Sequence, residues 1–243
     1  MKIAVVVPTY NERENIGSLL DCLREVLSPL SCHTHFLVVD DMSTDGTAAV
    51  VFERQRSNPG IHLLSGRRAG LGAAYVRGMS YALTRFEPDV VIQMDADFSH
   101  SPHDIPRLLG AIASGADLAI GSRYSGGNRT PKEWGWRRRC LSWSGNLVAR
   151  HWLRLLPIQD CTAGFRAWRA GALSEISHGT VMTQGYVFQV AMLQRALTRG
   201  ANVIEIPVEF PDRIHGVSKL GWADVIEFAR WTFANPPPFR RKQ

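Results

Sequence analysis

Two aspartates separated by one small residue, Asp95 and Asp97 around Ala96, follow directly on an apolar run at residues 90–94. Carboxylates spaced in this way at the mouth of a buried strand can hold a hard divalent cation. One binds directly and the other directly or through water, and nucleotide phosphate oxygens complete the shell. A solvated turn or a helix cap uses the same residues, so the motif gains weight only from what lies beside it. Two further polar clusters supply that weight. Pro8, Tyr10 and Glu12 follow the β-branched run at residues 3–7, and Asp40, Asp41, Ser43 and Asp45 follow the apolar run at residues 36–39.

The elements that must position these clusters can be read from apolar periodicity. Residues 3–7, 36–39, 61–64, 90–94 and 117–120 read as buried strands, and residues 15–27, 47–56, the segment from the glycine-rich stretch at Gly70 to Arg85, and 101–114 read as helices. Strands alternating with helices of this length predict an α/β fold with a mostly parallel central sheet covered by helices on both faces. Ligands of such sheets sit beyond the carboxyl ends of the strands, so the three polar clusters are expected to converge on one edge. The second half is less regular. A Gly/Arg/Trp-rich stretch spans residues 125–157, and residues 186–199 read as a helix, 202–208 as a strand and 219–233 as a last helix.

Composition narrows the classes. The 243 residues are 45% hydrophobic and 21% charged, an ordinary folded composition that excludes a disordered tail, a collagen-like fibre or a disulfide scaffold. No apolar run reaches the roughly 18 residues of a membrane span, and the N-terminal segment does not read as a signal peptide, so an integral membrane protein is not expected. Cys22, Cys32, Cys140 and Cys161 lack the close spacing of a zinc or redox pair, which favours small core residues in a reducing, cytoplasmic setting. His62, His103, His151 and His178 share no ligand spacing and read as surface or satisfied side chains. The net charge of +6 is concentrated between Arg123 and Arg169 and at the last residues.

Seven motifs in register resemble family 2 glycosyltransferases: PTYNE from Pro8, VVDDMSTDGT from Val38, GLGAAYVRG from Gly70, MDADFSHSP from Met94, GSRY from Gly121, TAGFRAWR from Thr162 and DRIHGVSKL from Asp212. More narrowly, the chain is similar to polyprenol-phosphate (dolichol-phosphate) mannose synthases of the short type without transmembrane helices, over residues 3–222. The resemblance implies a GT-A fold, GDP-mannose as donor, a polyprenyl or dolichyl monophosphate as acceptor, Mg or Mn as cofactor, and inversion at the sugar carbon. It also implies roles. Pro8, Tyr10, Glu12, Asp41, Asp95, Ala96, Asp97 and Arg123 would bind the nucleotide sugar, with Asp41 on the guanine, Asp95 and Asp97 on metal and diphosphate, and Arg123 on phosphate. Met42 replaces the usual small or polar residue, and Ser99 stands where some members place a metal-binding Gln.

The chemistry can also be weighed from what is missing. A hydroxyl acceptor usually needs a general base, whereas a phosphate monoester is already largely anionic at neutral pH and can attack unaided if cations hold it. Arg213, Ser218 and Lys219, with Arg137, Arg138 and Arg139, can supply that clamp. No acidic base is evident around Gln184, Gly185 and Tyr186, and Asp160 stands as the one candidate for that role. Catalysis would then fall to Asp97, Arg123, Arg213 and Lys219.

Four of the seven tryptophans, Trp134, Trp136, Trp143 and Trp152, are interleaved with Arg137, Arg138, Arg139, Arg150 and Arg154. Basic residues beside amphipathic aromatics suit the headgroup zone of an anionic bilayer, which predicts an interfacial helix over residues 141–155. A helix packed on its own core with a solvated basic face is the alternative. Trp222, Val225, Ile226, Ala229 and Phe233 make the last helix amphipathic as well, again for a membrane, a membrane-embedded partner or the core. No nucleic-acid recognition motif accompanies these residues. Gly70 and Gly72 lack the Lys and Ser/Thr of a P-loop and read as close helix–strand packing.

The expectation is a single GT-A domain over residues 1–235, with residues 1–124 the nucleotide-sugar and metal half, residues 125–235 the acceptor and membrane-interface half, and residues 236–243 a basic tail. It is expected to be a metal-dependent mannosyltransferase, peripheral on the cytoplasmic face of a membrane, with a transmembrane partner subunit left open. Two other readings stand beside it: a UDP-glucose-dependent or other family 2 transferase, and a non-catalytic membrane-binding scaffold.

Overall fold

The computed structural model describes residues 1–127, 136–177, 185–211 and 222–235. Arg137, Arg138 and Arg139 fall in a described helix whose side chains there are not described, and Arg213, Ser218 and Lys219 lie outside the described residues.

Seven strands form one sheet in the order β3-β2-β1-β4-β6-β5-β7. They are β1 (Lys2–Thr9), β2 (His33–Asp40), β3 (Ile61–Ser65), β4 (Val90–Gln93), β5 (Leu118–Ser122), β6 (Arg166–Arg169) and β7 (Val203–Pro207). All run parallel except β6, which is antiparallel to both β4 and β5. The helices are α1 (Arg13–Leu27), α2 (Thr47–Ser57), α3 (Leu71–Arg85), α4 (Ile105–Ala113), α5 (Trp136–Trp152), α6 (Ala170–Ser177), α7 (Gly185–Thr198) and α8 (Trp222–Ala234).

Alternation along β1 assigns the two faces. Ile3, Val5 and Val7 pack with α1, α2 and α4, whereas Ala4 and Val6 pack with α3, α6, α7 and the end of α5. Both faces of the sheet are therefore buried, as a parallel sheet requires, which is why its strands read as continuous apolar runs. The closest approach is at Gly78 of α3, where a Cβ would lie 2.6 Å from side-chain carbons of both Val6 and Val39. That helix–strand contact was expected at Gly70 and Gly72. Gly70 instead adopts φ +91° as it leads into α3, a left-handed conformation that favours glycine.

The sequence does not announce β6 or α6. β6 begins with Arg166, a cation with no exposed surface, whose guanidinium donates to the carbonyls of Cys161, Ala163 and Gln189 at 3.1, 2.9 and 2.9 Å. Burial pulls this group down to about 10, close enough to an arginine's usual range to leave it charged at neutral pH. Beside it, Gln93 donates to Gln189 at 2.7 Å and accepts from Trp168 Nε1 at 3.2 Å, so β4, β6 and α7 share one buried polar seam.

Helix α5 starts earlier than predicted and packs one face on the core. Asn146, Ala149 and, just beyond the helix, Leu153 are buried, whereas Trp136, Trp143 and Trp152 are exposed. Trp152 meets Phe233 of α8 edge to face at 4.9 Å, joining two helices that also expose Ile226. Among the described residues, no helix is long and apolar enough to cross a membrane.

Candidate active site

Register brings the three polar clusters to one edge. Thr9 pairs with Asp40 and Val6 with Gln93, so the segments leaving β1, β2 and β4 run out side by side. Each carries one non-glycine residue at positive φ: Asn11 at +55°, Met42 at +55° and Phe98 at +62°. Asn tolerates this conformation, but for Met and Phe it costs of order 1–3 kcal/mol and persists only where the surroundings impose it. Met42 and Phe98 thus carry backbone strain in two of the three loops at this edge, which makes it a candidate site, although Ser31, Glu87 and Arg154 adopt positive φ elsewhere.

Hydrogen bonds stitch the rim together. Asp40 accepts from the Thr9 hydroxyl at 3.0 Å and from the Ser43 amide and hydroxyl at 3.0 and 2.5 Å. Asn11 accepts from the Thr44 amide at 2.9 Å, and its own amide donates to Ser43 Oγ at 2.8 Å. Glu12 opens α1: its carbonyl accepts the amides of Asn15 and Ile16, and its carboxylate accepts from Asn15 Nδ2 at 2.8 Å. Pro8 is buried, and Tyr10 lies half-buried under the Arg68 guanidinium, 3.9 Å from its ring centroid. Asp41, nearly buried, is held by Arg77 of α3 at 2.6 Å. Neither Arg68 nor Arg77 was singled out from the sequence, although Arg68 precedes the glycine-rich motif and Arg77 lies within it.

The loop after β4 holds the carboxylate pair. Asp97 is buried, and its Oδ1 accepts from the Ser99 amide at 3.1 Å and hydroxyl at 2.6 Å. Ser99 thus orients Asp97 rather than extending outward. Asp95 is half-buried. Its Oδ1 accepts from the Tyr75 hydroxyl at 2.7 Å, and its amide donates to Nδ1 of His100 at 2.9 Å. Burial, and then the neighbouring Asp95, push the Tyr75 phenol well above its ordinary range, so it stays a donor. Oδ2 of Asp95 makes no hydrogen bond to a described residue. Two hard carboxylates on a strand end, one with an oxygen to spare, suit Mg or Mn in chemistry and charge. Ala96 between them is packed into the core layer of α1 and α4.

Arg123 leaves the end of β5 at the same edge, but its side chain turns to Asp160. Nε and Nη2 donate to the two carboxylate oxygens at 2.7 Å each, the Arg123 amide donates at 3.0 Å, and Nη2 also reaches Thr162 Oγ1 at 2.8 Å. The Asp160 carboxylate is wholly buried. Burial alone would raise this carboxyl, yet the charge and hydrogen bonds of Arg123 outweigh it, with help from Arg166, and hold it below the usual carboxylate range. A carboxylate so occupied is a poor proton acceptor, which argues against Asp160 as a general base. Its loop is fixed from other sides as well: Glu205 of β7 accepts the amides of Gln159 and Asp160 at 2.8 Å each, and Asn146 of α5 accepts the amide of Cys161 at 2.8 Å.

Residues 4–177 match Glycosyl transferase family 2. The chain belongs to that family. Among curated relatives of this glycosyltransferase, a polyprenol monophosphomannose synthase of Mycolicibacterium smegmatis is 42% identical over 92% of the chain and 82% of the relative. An undecaprenyl-phosphate mannosyltransferase of Micrococcus luteus is 38% identical over 96% of the chain and 95% of the relative. A dolichol-phosphate mannosyltransferase of Pyrococcus furiosus is 34% identical over 95% of the chain and 62% of the relative. Among solved structures, glucosyl-3-phosphoglycerate synthase of Mycobacterium tuberculosis, in complex with Mn2+, UDP and glucosyl-3-phosphoglycerate, superposes with TM-score 0.66 at 22% identity over 96% of the chain and 77% of that structure. Mannosyl-3-phosphoglycerate synthase of Rubrobacter xylanophilus gives 0.67 at 21% over 96% and 71%. At such identities these likenesses speak to the fold, the GT-A architecture expected from the sequence.

Proposed function

We propose that this glycosyltransferase moves mannose from GDP-mannose to a polyprenyl monophosphate, with inversion, at the cytoplasmic face of a membrane. The observation that carries the reading is the sequestration of Asp160. With that carboxylate locked on Arg123, the described rim offers metal-type carboxylates but no evident proton acceptor for a hydroxyl, a pattern that suits an acceptor already anionic. The naming of the relatives at 38–42% identity, all for lipid-phosphate mannosyl transfer, supports the same acceptor class.

In this reading Asp95 and Asp97 hold a divalent cation, which when bound neutralises the diphosphate and helps it depart. Tyr10 and Asp41, with the cations Arg68 and Arg77 beside them, line the nucleoside end, and Pro8 and Ala96 shape the floor. Arg137, Arg138, Arg139, Arg213, Ser218 and Lys219 neutralise the incoming phosphate. Arg123 contributes by bracing the loop of residues 159–162. The exposed Trp136, Trp143 and Trp152 and the α8 residues Ile226 and Phe233 rest on the lipid surface from which the acceptor is drawn. The nucleotide half is residues 1–124 and the acceptor half residues 125–235.

The test is transfer of radiolabel from GDP-mannose to a short polyprenyl phosphate by purified protein with Mg2+ or Mn2+, run beside UDP-glucose. Label entering the organic phase from GDP-mannose supports the reading. Label moving only from UDP-glucose replaces the donor, and label remaining in water with every donor refutes the transferase. Asp97→Ala should abolish transfer while vesicle binding persists.

A further inference from the structure

Asp95 is gripped at two atoms by two residues of different elements. The Tyr75 hydroxyl, on α3, donates to Oδ1 at 2.7 Å, and Nδ1 of His100 accepts the main-chain amide at 2.9 Å. Neither partner is free to follow a ligand. Tyr75 has no exposed surface, and its ring lies parallel to that of Phe188 on α7, centroids 5.8 Å apart. His100 is 2% exposed, stacks on Phe165 at 5.1 Å and meets Phe210 edge-on at 5.4 Å. Gly164 closes over the same imidazole, with space for a Cβ only 3.2 Å from its Cε1. All four of these contacts come from the C-terminal half of the chain, beyond β5.

We propose that Tyr75 and His100 are positioning residues that fix the carboxylate plane and the backbone of Asp95 before a cation binds, so that Oδ2 is the oxygen presented. Phe188, Phe165 and Phe210 set the two clamps, so the acceptor half holds the metal loop of the nucleotide half in place. The proposal rests on Asp95 being a cation ligand. Its physical content is preorganisation: a ligand oriented by outer partners loses little freedom on binding, and removal of such partners typically costs 10–100-fold in metal affinity. A hydroxyl that merely satisfied its own buried hydrogen bond would contribute to folding and leave cation binding untouched.

Tyr75→Phe removes the hydroxyl and keeps the stacked ring. The measurement is calorimetric Mn2+ binding to the full chain in saturating GDP, repeated in UDP, with the Tm of the metal-free protein and GDP binding without metal as controls. The expected result is an Mn2+ dissociation constant raised about 10–100-fold, with GDP binding in the absence of metal unchanged. In transfer assays the Mn2+ activation constant should rise by the same factor, and kcat should recover at saturating Mn2+. His100→Leu should weaken Mn2+ binding as well, and His100→Asn, which restores an acceptor for the Asp95 amide, should recover it. These variants also serve if Tyr75→Phe does not fold. Mn2+ binding within about twofold of wild type in folded Tyr75→Phe and His100→Leu overturns the proposal while leaving the assigned function standing. Wild-type protein that takes up no Mn2+ with either nucleotide overturns both.

Discussion

Replacing Asp160 by Ala isolates the Arg123–Asp160 pair. The substitution removes a carboxylate without exposed surface and leaves Arg123, its side chain 5% exposed, without the partner that receives two hydrogen bonds from its guanidinium and one from its amide. Breaking a buried pair from one side typically costs about 3–5 kcal/mol, because the surviving charge cannot return to water. For a domain of this size that corresponds to a fall in Tm of roughly 6–20 °C. Urea denaturation at pH 7 measures the loss, and the denaturant slope should stay unchanged. The depressed Asp160 carboxyl gives the dependence on pH a definite sign. Its stabilisation is fully present above the ordinary carboxylate value of about 3.9 and is lost as pH falls through the lower folded-state value, so wild type and variant should converge only in strong acid. Asp160→Leu combined with Arg123→Met should regain most of the stability, since no charge is then stranded. A loss below about 1 kcal/mol for Asp160→Ala would refute the reasoning. So would an Asp160→Asn protein of wild-type stability that had lost transfer, the signature of a catalytic base.

Gly78→Ala should destabilise the protein by about 1–3 kcal/mol in thermal or urea unfolding, because the new methyl meets Val6 and Val39 at 2.6 Å. His35 and His62, 3.1 Å apart, the first stacked on Phe86 and the second tilted against it, both sit below the ordinary imidazole value, through burial first and, for His35, also through His62, His33 and Lys2. Their contribution to stability is therefore present above about pH 6.5 and falls away as pH drops through the lower folded-state values, so Tm should decline between pH 7.5 and 5, less steeply in His35→Gln. Trp152→Ser with Phe233→Ser removes two rings that are 48% and 55% exposed. At roughly 1 kcal/mol for each exposed half-ring, sedimentation with anionic vesicles should weaken about thirtyfold, and loss of the buried halves and of the contact between the two rings should lower Tm by several degrees.

The first five strands and the rim they form were legible because each is an apolar run stopped by a polar cluster, and a parallel sheet buried on both faces writes itself in that way. β6 was not, because Arg166 and Arg169 bracket only two residues and a buried arginine looks like a surface one until its three carbonyl partners are seen. Asp95 and Asp97 were found from their spacing, but their supports were not. Tyr75 falls on the buried face of α3 and reads as core, and His100 has no periodic partner. Arg123 was expected on phosphate, and only the three-dimensional return of the chain shows Asp160 already there. The histidine contact at β2 and β3 was invisible for the same reason, since His35 and His62 meet across a ladder and lie 27 positions apart.

The reversed direction of β6 has a consequence for how this scaffold can be altered. Gln93 at the end of β4 lies opposite Arg166 at the start of β6, so the segment between β5 and β6 leaves the rim at Arg123 and rejoins it at Arg166. That segment is pinned by Arg123 and Glu205 and by the buried Ala149, Leu153, Ile158 and Cys161, and insertions beyond these anchors need not unzip a strand pair. Its last residues, Gly164 and Phe165, close on His100, so a graft that keeps these two together with Arg123 leaves the loop of Asp95 and Asp97 seated as it is.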